Sequence, residues 1–196
     1  MNGKKGGFTL THRRWILVIP LLIVMLGIFY FSSQSYSEQT IRPWLAAGAM
    51  EDRLVRLLRN VHFSYNGQEI SVRSMGGTNL AEFIVRKLAH IILYGALSFT
   101  MLMTAWILIP WRKAVAVSNT LVLSLIFAMF DELNQQFRDE RTARLADVGI
   151  DMVGAVLGVI IFLIGYLLYT QRKENELSKA KRKQRTMRIF YGDSDT

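Results

Sequence analysis

The residues best equipped for chemistry are one histidine and the ions around it. His90 stands four residues after Arg86 and four before Tyr94, so a helix carrying them presents all three on one face. Lys87 lies beside them. Further along, Asp131-Glu132 precedes Gln135-Gln136, and Arg141 leads to Asp147 and Asp151, again four apart. An imidazole oriented by a carboxylate, here Asp131 or Asp147, acts as a general acid or base. Arg86, Lys87 and Arg141 are suited to hold a phosphate or to stabilise developing negative charge. The candidate catalytic groups are therefore His90, Asp131 and Glu132. The candidate substrate-binding groups are Arg86, Lys87, Tyr94, Gln135, Gln136, Arg141, Asp147 and Asp151.

Several other chemistries lack their residues. The chain has no cysteine, which removes disulfides, thiolate metal sites and cysteine nucleophiles. No G-x-S-x-G occurs, and no glycine-rich phosphate loop. His12, His62 and His90 are scattered, with no H-x-x-x-H pair. The expectation is no metal and no cofactor, a metal held by His90 and carboxylates being the minor alternative.

The elements that must position these groups are apolar. The 196 residues are 51% hydrophobic and 20% charged, with the charges segregated between apolar blocks. Four runs read as spans, near 15–31, 88–109, 114–130 and 148–169. The first follows basic residues, as a signal peptide would, but it is long for an h-region and FSSQSYSEQ offers no A-x-A-like cleavage site. The third carries Ser118, Asn119, Thr120 and Ser124, which can bond to neighbouring helices. The fourth holds Gly154-x-x-x-Gly158, a pattern that permits close helix approach. The expected fold is all-α, a polytopic membrane helical bundle of four transmembrane helices with a partly helical extracytoplasmic loop. Residues 1–170 form the membrane domain and 171–196 a basic cytoplasmic tail.

The long loop between the first two spans has its own pattern. Leu54, Leu57, Leu58 and Val61 recur at helical spacing between arginines. That is an amphipathic helix, lying either on the membrane interface or on its own protein. Asn66-Gly67 between HFSY and QEIS suits a two-residue hairpin turn, and Gly76-Gly77 is a break before the second span.

The formal net charge is +9, with a pI near 10.0. Between apolar blocks such an excess points to topology and anionic lipid, not to nucleic acid. Arg13-Arg14, Arg112-Lys113 and Arg172-Lys173 flank spans on one face, which the positive-inside rule places in the cytoplasm with both termini. The long loop and the loop after the third span then face outward. Arg86, Lys87, His90, Asp131, Glu132, Asp147, Asp151 and the Ser32-Ser33-Gln34 that ends the first span all gather at that outer boundary. Charges near hydrocarbon must meet one another or face water. Arg86 and Lys87 at a helix N-terminus, and Asp131 and Glu132 at a helix C-terminus, each oppose their own helix dipole. Pairing across helices would relieve both.

The run RKLAHIILYGALSF followed by DELNQQFRDERTARLADVGIDMVGAVLG resembles the VanZ-like family of bacterial membrane proteins. The shared pattern is R-K-x-x-H-x-x-x-Y, then D-E-x-x-Q-x-F, a loop arginine, and an Asp followed four residues later by Asn or Asp. Asp139-Glu140 stand where the family often has Pro-Gly. The resemblance implies a multi-span protein of the bacterial cell membrane, in a family whose founding members are associated with low-level teicoplanin resistance. It supplies no reaction. Three readings stay open: an ion-pair network that only fixes helix packing, a site for an anionic headgroup or lipid-linked wall precursor, and an enzyme acting on such a headgroup. The expected partners are membrane lipids.

Overall fold

A computed structural model describes residues 18–34, 40–45, 49–108, 112–136 and 145–191. Helix α1 is Val18–Ser32, followed by the short α2 (Arg42–Leu45) and α3 (Ala49–Leu58). Strands β1 (His62–Tyr65) and β2 (Gln68–Ser71) pair antiparallel, with His62 opposite Ser71 and Tyr65 opposite Gln68. Then come a single turn, α4 (Val72–Met75), and the long helices α5 (Gly77–Leu108), α6 (Lys113–Gln136) and α7 (Leu145–Tyr191). The chain is mostly helical. Helices α5, α6 and α7 are long and apolar enough to cross a membrane, and α1 is a shorter apolar helix.

Residues 1–159 and 160–196 are separate compact units. The first holds α1 to α6 and the opening of α7. The second is the rest of α7, which carries the basic run.

The distribution of polarity within the first unit is the reverse of that in a water-soluble protein. Ile23, Leu26, Ile92, Val122 and Phe130 are exposed, while Ser98, Thr120, Ser124, Asp131 and Asp151 are buried. An exposed apolar belt of this extent is stable against lipid and not against water. Within the unit, Ile28, Tyr94, Leu97, Ala128 and Val148 form the core.

The hairpin forms where expected. Asn66 and Gly67 both have positive φ, the geometry that a two-residue turn between twisted strands requires. Phe63 and Tyr65 on β1 pack against Phe83 of α5. Ser71 and Ser74 form a capping box around α4. Gly76 (φ 82°) ends that turn, and α5 starts at the next residue.

The start of α5 corrects the expectation for Arg86 and Lys87. The helix begins at Gly77, so both cations lie more than two turns inside it. The terminal dipole fades within the first turn and does not oppose them. The apolar pattern alone hid this early start, because the first helical turns are anchored by packing on α3. A Cβ at Gly77 would come within 2.8 Å of the Val55 side chain. Helix α3 is thus docked on its own protein, although Leu57 stays largely exposed.

The Thr120 hydroxyl of α6 is bonded within its own helix. Thr120 donates to the Ala116 carbonyl of its own helix at 2.8 Å, not to a neighbour.

Candidate functional site

The site begins with the contact between α5 and α7. A Cβ on Gly154 would meet the Ile91 carbonyl oxygen at 2.4 Å, and one on Gly158 would meet that of Gly95 at 2.1 Å. Only hydrogen fits at these two positions. Ser98 Oγ seals the contact by donating to the Ala155 carbonyl at 2.7 Å. The G-x-x-x-G pattern is therefore an interhelical seam. Two further rungs continue it towards the helix starts, Lys87 with Asp147 and His90 with Asp151. The sequence offset is 60 at one rung and 61 at the next, so the two helices run in the same direction.

His90 Nδ1 lies 2.9 Å from Asp151 Oδ1. Asp151 is 1% exposed, and its partner's ring stacks parallel to that of Tyr94. Asp131 enters from α6. Ligand-type atoms of His90, Asp131 and Asp151 all lie within 4.8 Å of one another. Gln135 Nε2, one turn on, donates to Asp131 Oδ2 at 3.1 Å. The hydroxyls of Ser32 and Tyr94 lie beside the Asp131 carboxylate, yet neither closes a hydrogen bond of standard geometry. Four elements, α1, α5, α6 and α7, thus converge on one buried point.

A second polar group surrounds Glu82. This carboxylate is 3% exposed and accepts from Arg42 Nε at 2.9 Å and from Arg86 Nη2 at 2.6 Å. Thr40 Oγ1 lies at 3.4 Å. A third group centres on Asp147, which accepts from both Lys87 and the Tyr65 hydroxyl. The Lys87 ammonium also lies 5.0 Å from the Tyr65 ring centroid and 5.4 Å from that of Phe83.

These contacts revise the expected pairings. Arg86 turns to Glu82 on its own helix, and Lys87 crosses to Asp147. His90 is hydrogen-bonded to Asp151, neither to Asp147 nor to Asp131. The helix-dipole argument chose Asp131 and Glu132 as partners for the cations by their position at a helix end. The parallel seam between α5 and α7 instead sets Asp147 beside Lys87. Of the tandem glutamines, Gln135 reaches Asp131, while the Gln136 side chain and Arg141 lie outside the described residues. Glu132 is buried.

Glu82, Arg42 and Tyr65 are polar residues of these groups that sequence reasoning did not single out. Glu82 had a signal, since a glutamate four residues before Arg86 is a favourable helical pair. Tyr65 had none, because only the fold of the hairpin brings it to α7.

A cavity of about 590 Å³ lies between α1 and α5. Ile28, Phe31, Ile92 and Leu93 contribute apolar wall, and Arg86 and His90 lie in the lining.

The chain matches the VanZ/LLP1 family model over residues 17–168. It belongs to that family. Comparison with curated proteins and with solved structures gave no match. The matched span of this VanZ-like chain includes α1, α5, α6 and every side chain of the His90 cluster. It stops inside α7, before the basic run.

Proposed function

We propose that this VanZ-like protein holds the anionic headgroup of a membrane amphiphile in the cavity between α1 and α5. The cavity itself carries the reading. It joins hydrocarbon-compatible walls to Arg86 and His90, a combination that fits acyl chain and headgroup together. Charge supports it, because Arg42 and Arg86 share Glu82 and the trio is net positive. In this reading the chain is a multi-pass protein of the bacterial cell membrane with both termini cytoplasmic and the site facing outward. A lipid-linked cell-wall precursor presents such a headgroup there, and sequestering or altering it would connect the family to glycopeptide resistance. The His90–Asp151 pair is placed to move a proton at a bound headgroup.

The structural alternative has its own observation. Lys87–Asp147 is an ion pair closed within the protein, as packing alone would want. The cavity has no place in that account.

The test is mass spectrometry of lipids retained by protein purified in native nanodiscs. One anionic amphiphile should be enriched over the bulk membrane in wild type and reduced at least tenfold in Arg86→Gln, with circular dichroism unchanged. Equal lipid profiles in the two proteins would remove the headgroup site. Release of a modified headgroup would turn the binder into an enzyme.

A further inference from the structure

We propose that His90, Asp131 and Asp151 form a binding site for one divalent metal ion. The three side chains come from three different helices and bring their ligand atoms within 4.8 Å of one another. Ligands about 2.0–2.2 Å from a common ion lie up to roughly 4.3 Å apart, so closing the set takes only small side-chain rotations. The two carboxylates are buried, and one imidazole stands against them. A divalent cation balances that charge where water cannot.

A second observation points to a missing occupant. The Tyr94 hydroxyl belongs to a residue with no exposure, and that of Ser32 to one with 5%. Both lie beside Asp131, yet neither closes a hydrogen bond of standard geometry. Buried hydroxyls left without partners are rare in proteins. Waters on an ion held by Asp131 would satisfy both. Gln135, donating to Asp131, is the kind of outer contact that orients a metal-bound carboxylate.

The donor set is one imidazole nitrogen and two carboxylates, with hydroxyls nearby and no sulfur. That set suits Zn²⁺ or Mn²⁺ and disfavours soft ions such as Cu⁺. His90 also lines the cavity, so an ion there would confront oxygens of an anionic headgroup. The inference adds to the headgroup reading without depending on it.

The experiment uses full-length protein in nanodiscs, stripped with chelator and titrated with ZnCl₂ or MnCl₂. Bound metal is counted by mass spectrometry, and unfolding temperature is followed in parallel. The expected result is one ion per chain, an upward thermal shift on binding, and affinity at least tenfold weaker in Asp131→Asn and in Asp151→Asn. His62→Gln removes the surface pair of His62 with Glu69 and should leave binding intact. Absence of saturable binding in wild type overturns the proposal, as does unchanged binding in both Asn variants or its loss in His62→Gln. If one Asn variant fails to fold, the other and His90→Gln decide. The readout is the metal, so its failure leaves the lipid result standing, and the converse holds.

Discussion

Two polar groups on the same seam of helices are built on different terms. The Lys87–Asp147–Tyr65 group is balanced: one cation, one carboxylate, one hydroxyl, with two aromatic rings beside the ammonium. The His90–Asp131–Asp151 cluster, one helical turn further along, has two carboxylates for one imidazole, with two buried hydroxyls beside Asp131 that close no hydrogen bond of standard geometry. The first group ties the hairpin and the start of α7 to α5. The second holds an excess of carboxylate over cation, the feature on which the proposed ion site rests. Proximity alone therefore does not separate structural charge from functional charge. These two groups differ in local charge balance.

The strongest way to break the comparison is to force the seam apart. Gly158→Leu puts side-chain atoms where the Gly95 carbonyl already lies, and should cost about 3 kcal/mol of stability in SDS-titration unfolding. It should disable both groups together; if headgroup retention survives, the seam does not position the site. Lys87→Met tests the balanced group alone. Leaving Asp147 without its cation should cost about 2 kcal/mol, less than a fully buried pair because both side chains keep some exposure. The swap Lys87→Asp with Asp147→Lys should recover most of that loss, and recovery no better than for either single variant would deny that the pair acts through charge.

Smaller effects sharpen the contrast. Tyr65→Phe removes one hydrogen bond to Asp147 and should cost about 1 kcal/mol, with faster proteolysis at the hairpin and unaltered lipid retention. His90→Gln should change stability least, by under about 1 kcal/mol, since glutamine can still donate to Asp151. Its effect should appear in function: membrane abundance near wild type, with headgroup retention down at least tenfold. Normal retention in this variant would separate the His90 cluster from headgroup binding.

Much of this protein was legible in its residues. Hydrophobic runs are additive along a helix, so α1, α5, α6 and the apolar part of α7 were visible as apolar helices, three of them long enough to cross a membrane, and Asn66-Gly67 marked the hairpin through its backbone preference. The four-residue spacings placed Arg86, His90 and Tyr94 on one face. The clustering of polar groups followed from the cost of charge near hydrocarbon. Partner choice was not legible. Spacing along one helix says which face a side chain occupies but not which neighbouring face it meets, and that depends on helix rotation and rise. Here Gly154 and Gly158, by letting α7 approach α5 to backbone contact, set the register in which Asp147 meets Lys87 and Asp151 meets His90. The same packing brought Asp131 to His90, set the Tyr94 and Ser32 hydroxyls beside Asp131, and opened the cavity next to them. Sequence alone thus determined a set of apolar helices with polar groups at one end. Tertiary structure decided which of those groups neutralise each other and which do not, because charge balance is a property of neighbours in space.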